Sequence, residues 1–186
     1  MKLKTIFIAL FAAIICMGAF IAIPTGPSGI PIVLQNMFVI LTAVLLGGFA
    51  GALPSLLFLV AGTLGLPVFS GGTGGIAHLL GPTGGFLFGY VLGALVASLI
   101  AGKPKSESKI TLKTVLRLTL ATVVGFIVLY IPGVIYFMYL TKSTLSVALA
   151  SCVIPYIPGC IIKMILTVLL SLKLRPLVYR YLNPNE

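Results

Sequence analysis

Six runs of apolar residues, separated by glycine, proline and charged residues, constrain the fold of this chain more than any other feature. A helix that crosses about 30 Å of hydrocarbon needs about 20 mostly apolar residues, so six such helices use nearly the whole chain. The sequence is 60% hydrophobic and 8% charged, which excludes an ordinary water-soluble domain. It predicts an all-α integral membrane protein, a bundle of six transmembrane helices in a single domain over residues 1–186, with helices at about 5–23, 32–47, 50–65, 84–101, 113–140 and 145–173.

Glycine and proline residues predict the shape of two of these segments. The second and third helices are separated only by Gly47, Gly48 and Gly51, which predicts a tight helical hairpin. The fifth contains Pro132 and Gly133. Because proline has no N–H to donate, we expect the fifth helix to kink or break there.

The distribution of lysine and arginine predicts the orientation of the chain in the cell membrane. With both termini in the cytoplasm, ten of the 12 basic residues fall in cytoplasmic segments, as the positive-inside rule requires. Only Lys142 is then outside, Lys163 lies within a helix, and residues 24–31 and 65–85 form long uncharged outer loops. The net charge of +10 therefore indicates contact with the lipid bilayer and not with nucleic acid. The cytoplasmic residues are Lys2, Lys4, Lys103, Lys105, Lys109, Lys113, Arg117, Lys173, Arg175 and Arg180.

The scarcity of acidic residues and histidine excludes most catalytic chemistry. Glu107 and Glu186 are the only acidic residues, and His78 is the only histidine. Catalysis by paired carboxylates, a Ser-His-Asp triad and a histidine-rich metal site are therefore excluded. The chain also lacks the G-x-x-x-x-G-K-[ST] phosphate loop. We expect no catalytic residue, no metal ion and no cofactor, and a partner must supply the energy for uphill transport.

Lys163 is the only charged residue deep within an apolar segment, and it follows Pro158 and Gly159 near the outer end of the last helix. A lysine at membrane depth costs at least about 2.5 kcal/mol on insertion scales, and no acidic residue within the membrane is available to pair with it. One interpretation is that its side chain extends to the outer interface. The other is that it binds the carboxylate of an anionic ligand.

A glycine-rich outer segment is a second candidate for a functional site. It contains Gly72, Gly74 and Gly75, begins near Phe69 and continues to His78. Glycine adopts backbone conformations closed to other residues, so this segment could approach a ligand closely and move as a lid. Alternatively, its glycines only let helices pack, and His78 is a loop residue at the interface.

Two polar residues, Gln35 and Asn36, stand at the outer start of the second helix. Each amide offers donors and an acceptor, which suits a ring with urea-like N–H and C=O groups. Capping of the helix or hydrogen bonding between helices explains them equally well.

A pair of small residues, Ala9 and Ala13, lies on one face of the first helix. Small side chains at this spacing let another helix approach closely. The pair is therefore a candidate docking surface for a partner.

Taken together, these residues resemble the BioY family, the substrate-binding S components of energy-coupling-factor (ECF) transporters for biotin. The resemblance extends from Ala9 to Pro176. Its most specific parts are Leu66-Pro67-Val68-Phe69, Gly71-Gly72, Gly74-Gly75, Leu80-Gly81-Pro82-Thr83-Gly84-Gly85, Ile157-Pro158-Gly159, Lys163 and Gln35-Asn36.

The resemblance implies a six-helix S component, not an enzyme, that takes up biotin from outside while its outer loops close as a substrate lid. It also implies partners: a transmembrane coupling subunit that docks on Ala9 and Ala13, and two cytosolic ATPase subunits that drive release. The candidate substrate-binding residues are Lys163, Cys160, Gln35, Asn36, Phe69, Gly72, Gly74, Gly75, His78 and Tyr156.

One position departs from the family pattern. BioY-like sequences typically have an aspartate one helical turn before the lysine, and this chain has Cys160 there. An aspartate would pair with the lysine and accept a polar group of the ligand, whereas a thiol does neither well. Either a modified polar network holds biotin, which we favour, or the ligand is a related carboxylate such as lipoate.

Two other classes of function compete with a vitamin-binding subunit. A membrane enzyme acting on lipid would lack the acids and histidines that it needs. An autonomous channel or carrier would bind a vitamin in a similar pocket, and only uptake by the chain without partners or ATP would reveal it.

Overall fold

The computed structural model describes residues 2–23, 32–105 and 110–183, and most of these residues are helical. Two short strands, β1 (Ala22–Ile23) and β2 (Ile32–Val33), pair antiparallel beside the bundle. The helices are α1 (Lys2–Gly18), α2 (Gln35–Leu46), α3 (Leu53–Thr63), α4 (Ile76–Leu79), α5 (Gly84–Ala101), α6 (Leu112–Thr141), α7 (Leu145–Cys152) and α8 (Ile157–Leu182), with 3-10 helices at Gly48–Ala52 and Ile154–Tyr156.

Each of the six predicted segments coincides with an apolar helical segment. Three of these segments are long and apolar enough to cross a membrane: Gly84–Ala101, Leu112–Thr141, and Leu145–Leu182 taken together. The other three are shorter, at Leu3–Gly18, Gln35–Leu46 and Gly48–Thr63. The order of apolar helices therefore follows the sequence prediction.

The ends of the first and last segments differ from the prediction. The first helix ends at Gly18, short of residue 23, because the chain then turns into β1. The last segment extends to Leu182, beyond residue 173, and the 3-10 helix that includes Pro155 divides it between α7 and α8. Proline favours the first turn of a helix, and Pro158 accordingly lies at the start of α8.

The break expected at Pro132 is absent, because α6 continues through this residue from Leu112 to Thr141. A proline in a membrane helix is tolerated where neighbouring helices pack around the affected turn. Here Gly85 of α5 lies against the carbonyl of Pro132, and the ring of Phe86 covers Gly133. Packing against α5 thus supports the helix at the position where its own hydrogen bonding is weakest.

The most extensive helix packing joins α5 to α6, which run antiparallel. Gly85, Gly89 and Gly93 repeat every four residues and form a stripe of small residues along α5. A Cβ atom added to Gly93 would lie 2.7 Å from the carbonyl oxygen of Gly125 on α6. The two backbones therefore approach as closely as glycine permits.

Two arginines mark one end of the bundle. Arg117 Nε donates to the carbonyl of Ile100 at 2.7 Å, and Arg175 donates to the carbonyls of Ala101 and Gly102 at 3.1 and 2.6 Å. Guanidinium groups suit the carboxyl end of a helix, where carbonyl oxygens lack partners within the helix. We call this the basic end. The opposite end carries residues 64–83, and we call it the loop end.

Candidate ligand-binding site

Lys163 lies inside the bundle near the loop end and does not extend to an interface. It is the seventh residue of α8, about 9 Å from the start of that helix at 1.5 Å per residue, and it is 6% exposed. Its Nζ donates to the carbonyl of Val33 at 2.6 Å and to Asn36 Oδ1 at 3.0 Å. Both partners are neutral, so the positive charge has no counter-charge among the described residues, which include no acidic side chain.

A small cavity adjoins Lys163 and brings together five of the predicted site residues. Its volume is about 50 Å³, and the elements around it include β2, α2, α5, α6 and α8. The predicted residues that line it are Gln35, Asn36, His78, Tyr156 and Lys163.

Gln35 and Asn36 are buried at the start of α2 and use part of their hydrogen-bonding capacity within the protein. Gln35 Nε2 lies 3.4 Å from the carbonyl oxygen of Ile15 and 3.2 Å from that of Val68, so it joins α1 to the loop end. Asn36 uses its carbonyl oxygen to accept from Lys163. Both amides therefore make hydrogen bonds to other structural elements, which was one of the explanations that the sequence left open. Both residues also line the cavity.

Aromatic residues form much of the remaining wall, and sequence reasoning missed most of them. Tyr90 of α5 is 6% exposed, and the ring of Phe86 packs edge-on against Tyr130 of α6 at 5.7 Å between centroids. Apolar walls with a few polar groups are typical of small-molecule sites. The other lining residues absent from the prediction include Val33, Ser70, Thr83, Leu87, Leu129 and Cys152.

Cys160 lies next to the cavity but not among the residues that line it. Its Sγ lies 3.1 Å from Tyr130 Oη, and it faces an apolar groove between α6 and the start of α8. Tyr130 lies on both the cavity and the groove, so the Cys160–Tyr130 pair separates them. Cys160 thus contacts the cavity-lining Tyr130 without lining the cavity itself.

The loop end is anchored on Phe69 and His78. Phe69 is fully buried, packs edge-on against Phe58 at 5.5 Å and stacks on the His78 ring at 5.2 Å. The His78 nitrogens Nδ1 and Nε2 lie 2.9 Å from Thr73 Oγ1 and 3.1 Å from Thr83 Oγ1. Partial burial lowers the pKa of His78, which favours the neutral ring. Of this pair, only His78 reaches the cavity.

The glycines of the loop end lie away from the cavity lining. Gly72 and Gly75 have φ values of +70° and +90°, a region that strongly favours glycine. Gly74 lies against the carbonyl of Leu66, and Gly75 N donates to the carbonyl of Gly62 at 2.7 Å. These three residues therefore shape the loop that covers the site and do not line its cavity.

The small residues of α1 lie on the outside of the bundle. Ala9 and Ala13 are both exposed, next to Ile6 and Met17, which are 59% and 66% exposed. This face is accessible to another helix.

Comparison with known proteins assigns the chain to a family. A family model described as the BioY family matches residues 2–180. The chain belongs to the BioY family. The family suggested by the lysine, glycine and glutamine motifs is thereby confirmed.

Individual BioY relatives match over most of their length. The biotin transporter BioY of Thermotoga maritima is 36% identical over 168 residues, which cover 90% of this chain and 93% of the relative. The probable biotin transporter BioY of Pyrococcus horikoshii is 38% identical over 157 residues, which cover 81% of this chain and 96% of the relative. Both are described as transporters, which agrees with the prediction that the chain is not an enzyme.

A solved structure of an S component has the same fold. The crystal structure of the S component for biotin from an ECF-type ABC transporter matches with a TM-score of 0.79 and 31% sequence identity. The match covers 92% of this chain and 90% of the solved chain. The prediction of an all-α, multi-pass membrane protein with the S-component fold is confirmed.

Proposed function

We propose that this chain is the biotin-binding S component of an ECF-type ABC transporter in the cell membrane. The observation that carries the proposal is Lys163, a buried cation whose partners among the described residues are neutral oxygens, beside a cavity at the loop end. Biotin is a carboxylate, and a cation without a counter-charge gains most from a ligand that supplies one. Relatives described as biotin transporters support the choice of vitamin.

The Lys163 ammonium has room for a further hydrogen bond. An ammonium group has three donors, and the bonds to Val33 and Asn36 use two of them. The third is available to a ligand carboxylate. In this arrangement Val33 and Asn36 orient the ammonium, and the carboxylate neutralises it.

The amides of α2 suit the urea-like end of biotin. Gln35 uses its N–H groups on Ile15 and Val68, which leaves its carbonyl oxygen to accept from a ring N–H. Asn36 uses its carbonyl oxygen on Lys163, which leaves its N–H groups to donate to a ring carbonyl. Tyr90 and Phe86 offer apolar surface to the rest of the vitamin.

The cavity must enlarge to admit biotin. A volume of about 50 Å³ holds only a few water molecules. Sites for drug-sized ligands usually have about 300 to 1,000 Å³. We infer that the loop end moves outward to open the site and then closes over the vitamin. Gly65 and Gly75, with φ values of +103° and +90° and open space beside each, are suited to act as hinges.

The proposed transport cycle needs partners. With both termini in the cytoplasm, the loop end faces outside and receives biotin there, as the positions of lysine and arginine favour. The face of α1 around Ala9 and Ala13 then docks on the transmembrane coupling subunit, and two cytosolic ATPase subunits supply the energy.

Side-by-side equilibrium titration of the purified chain with biotin and lipoate tests the proposal. Both ligands offer a carboxylate, but only biotin has the urea group that Gln35 and Asn36 can bind. A site built for such a group discriminates strongly against a ligand that leaves its polar groups unpaired. We expect biotin to bind at least about tenfold more tightly. Equal or tighter binding of lipoate would show that the chain serves another vitamin.

A further inference from the structure

A second pocket lies at the basic end of the bundle, remote from Lys163. Its volume is about 240 Å³, several times that of the cavity at the loop end. It is enclosed by the end of α5, the first turns of α6 and the last turns of α8. Arg175 on its wall lies about 18 Å farther along α8 than Lys163 at 1.5 Å per residue. The pocket is therefore separate from the proposed vitamin site.

Basic side chains dominate the polar lining of this pocket. The whole chain contains only two acidic residues, so the pocket would remain positive even if both reached it. Its two arginines are fixed to carbonyl groups at the end of α5, which holds their charges at the wall. The basic lining residues are Lys103, Lys105, Lys113, Arg117 and Arg175.

An unpartnered hydroxyl group lies on the same wall. Ser171 is fully buried, and its Oγ has no hydrogen-bond partner among the described residues. A buried hydroxyl without a partner costs free energy, so such groups usually have a ligand or water to bind. This observation is independent of the surface charge, and it places an unsatisfied hydrogen-bonding group in the wall of the pocket.

An apolar surface continues from the pocket along α6. Leu116 and Leu120 lie on the same helix face as Lys113, at three- and four-residue spacing, and they are 61% and 56% exposed. The pocket thus has a cationic interior beside an apolar strip at the edge of the membrane-spanning segments. A ligand with a phosphate group and hydrocarbon chains fits both parts.

We propose that the pocket at the basic end binds the phosphate group of an anionic phospholipid. The lysines and arginines neutralise the phosphate, and the Ser171 hydroxyl donates to one of its oxygens. The acyl chains lie along Leu116 and Leu120. A lipid bound there bridges α5, α6 and α8 at the end opposite the loops.

Native mass spectrometry of the purified full-length chain in detergent tests this proposal. The chain is titrated with phosphatidylglycerol and with phosphatidylcholine of the same acyl chains. We expect phosphatidylglycerol to bind at least about tenfold more tightly. Ser171→Ala should lower its affinity roughly tenfold, the usual effect of losing one hydrogen bond to a charged group.

Charge-matched variants distinguish a specific lipid-binding site from nonspecific attraction by surface charge. Lys105→Gln combined with Lys113→Gln should weaken phosphatidylglycerol binding at least roughly tenfold, whereas Lys4→Gln with Lys142→Gln removes the same charge elsewhere and should not. All four lysines are exposed, so the folded state should survive, and circular dichroism checks this for every variant. Equal losses in the two double variants would overturn the proposal, as would equal binding of the two lipids.

Two further outcomes would also contradict it. If Ser171→Ala folds and binds phosphatidylglycerol like the parent, the lipid phosphate does not occupy this pocket. If glycerol phosphate displaces the lipid at concentrations similar to that of the lipid itself, the ligand is a soluble phosphate compound and the acyl chains contribute nothing. Failure of glycerol phosphate to compete would support a lipid as the ligand. None of these measurements depends on the proposed vitamin site, so the two proposals can fail independently.

Discussion

At the scale of single residues, Lys163 is stabilised by its surroundings without being neutralised. Two hydrogen bonds that its Nζ donates, to the carbonyl of Val33 and to Asn36 Oδ1, replace part of the water lost on burial. A buried charge without an opposite charge still carries a large desolvation cost. We therefore expect a ligand carboxylate to offset part of this cost when it binds beside Lys163.

The pH dependence of the loop end should follow His78. Because burial lowers its pKa below the ordinary value of 6.5, the folded state binds fewer protons than the unfolded state in this range. Its contribution to stability is present above pH 6.5 and is lost as the pH falls through the lowered pKa. We expect the thermal unfolding midpoint to fall between about pH 7 and pH 5, and to fall less in His78→Gln.

Glutamine is a suitable replacement because it can still bond to Thr73 or Thr83 but does not titrate. The measurement is the thermal midpoint by circular dichroism at a series of pH values. Equal slopes for the parent and the variant would show that His78 does not carry the effect.

Sequence reasoning identified the polar members of the site more readily than its apolar members. Lys163, Gln35 and Asn36 stand out in an apolar chain because each is costly to bury, and the structure brings all three together. Tyr130 and Cys152 give no such signal, since aromatic and small residues occur throughout membrane helices. Their place in the site depends on helix rotation, which the sequence does not specify here.

At the scale of helices, the stripe of glycines on α5 determines how closely α6 can approach. A methyl group on Gly89 would collide with the backbone carbonyl of Leu129. By contrast, Gly159 in α8 has open space around its Cβ position. The same substitution should therefore have opposite effects at the two positions.

We expect Gly89→Ala to destabilise the protein by about 1 to 3 kcal/mol through overpacking. Gly159→Ala should be neutral or should stabilise it by up to about 1 kcal/mol, because alanine favours the helix. Thermal unfolding of both variants under the same detergent conditions measures the difference. A Gly89→Ala variant as stable as the parent would show that the helices separate easily.

The helices also show which structural features the pattern of apolar residues does not predict. Hydrophobic runs predicted six helical segments because length and composition suffice for that. They did not predict the continuity of α6 through Pro132, which depends on support from α5, nor the β1–β2 pair. A segment that is apolar on all sides has no periodic signal to show which neighbour it packs against.

At the scale of the whole molecule, the proposed vitamin site and the proposed docking face lie on different parts of the structure. The site lies inside the bundle at the loop end, whereas Ala9 and Ala13 are exposed on α1. Enlarging these alanines should therefore block docking without affecting the vitamin site. This separation allows the two functions to be tested independently.

We expect Ala9→Leu combined with Ala13→Leu to abolish co-purification with the coupling subunit while biotin affinity stays within about twofold of the parent. Ala150→Leu, at an exposed alanine on α7, is the matched control and should retain the complex. In liposomes, ATP-dependent uptake of labelled biotin should be lost only in the double variant. Sustained uptake by the chain without partners or ATP would identify an autonomous carrier.

The central claim is that the Lys163 ammonium binds the vitamin carboxylate, and a comparison of biotin with its methyl ester tests it most directly. Lys163→Met should weaken biotin by about 2 kcal/mol or more, roughly 30-fold, but should change binding of the uncharged ester far less. Lys173→Met, at an exposed lysine of the same helix, should alter neither. Equal losses of biotin and ester affinity in Lys163→Met would contradict the claim.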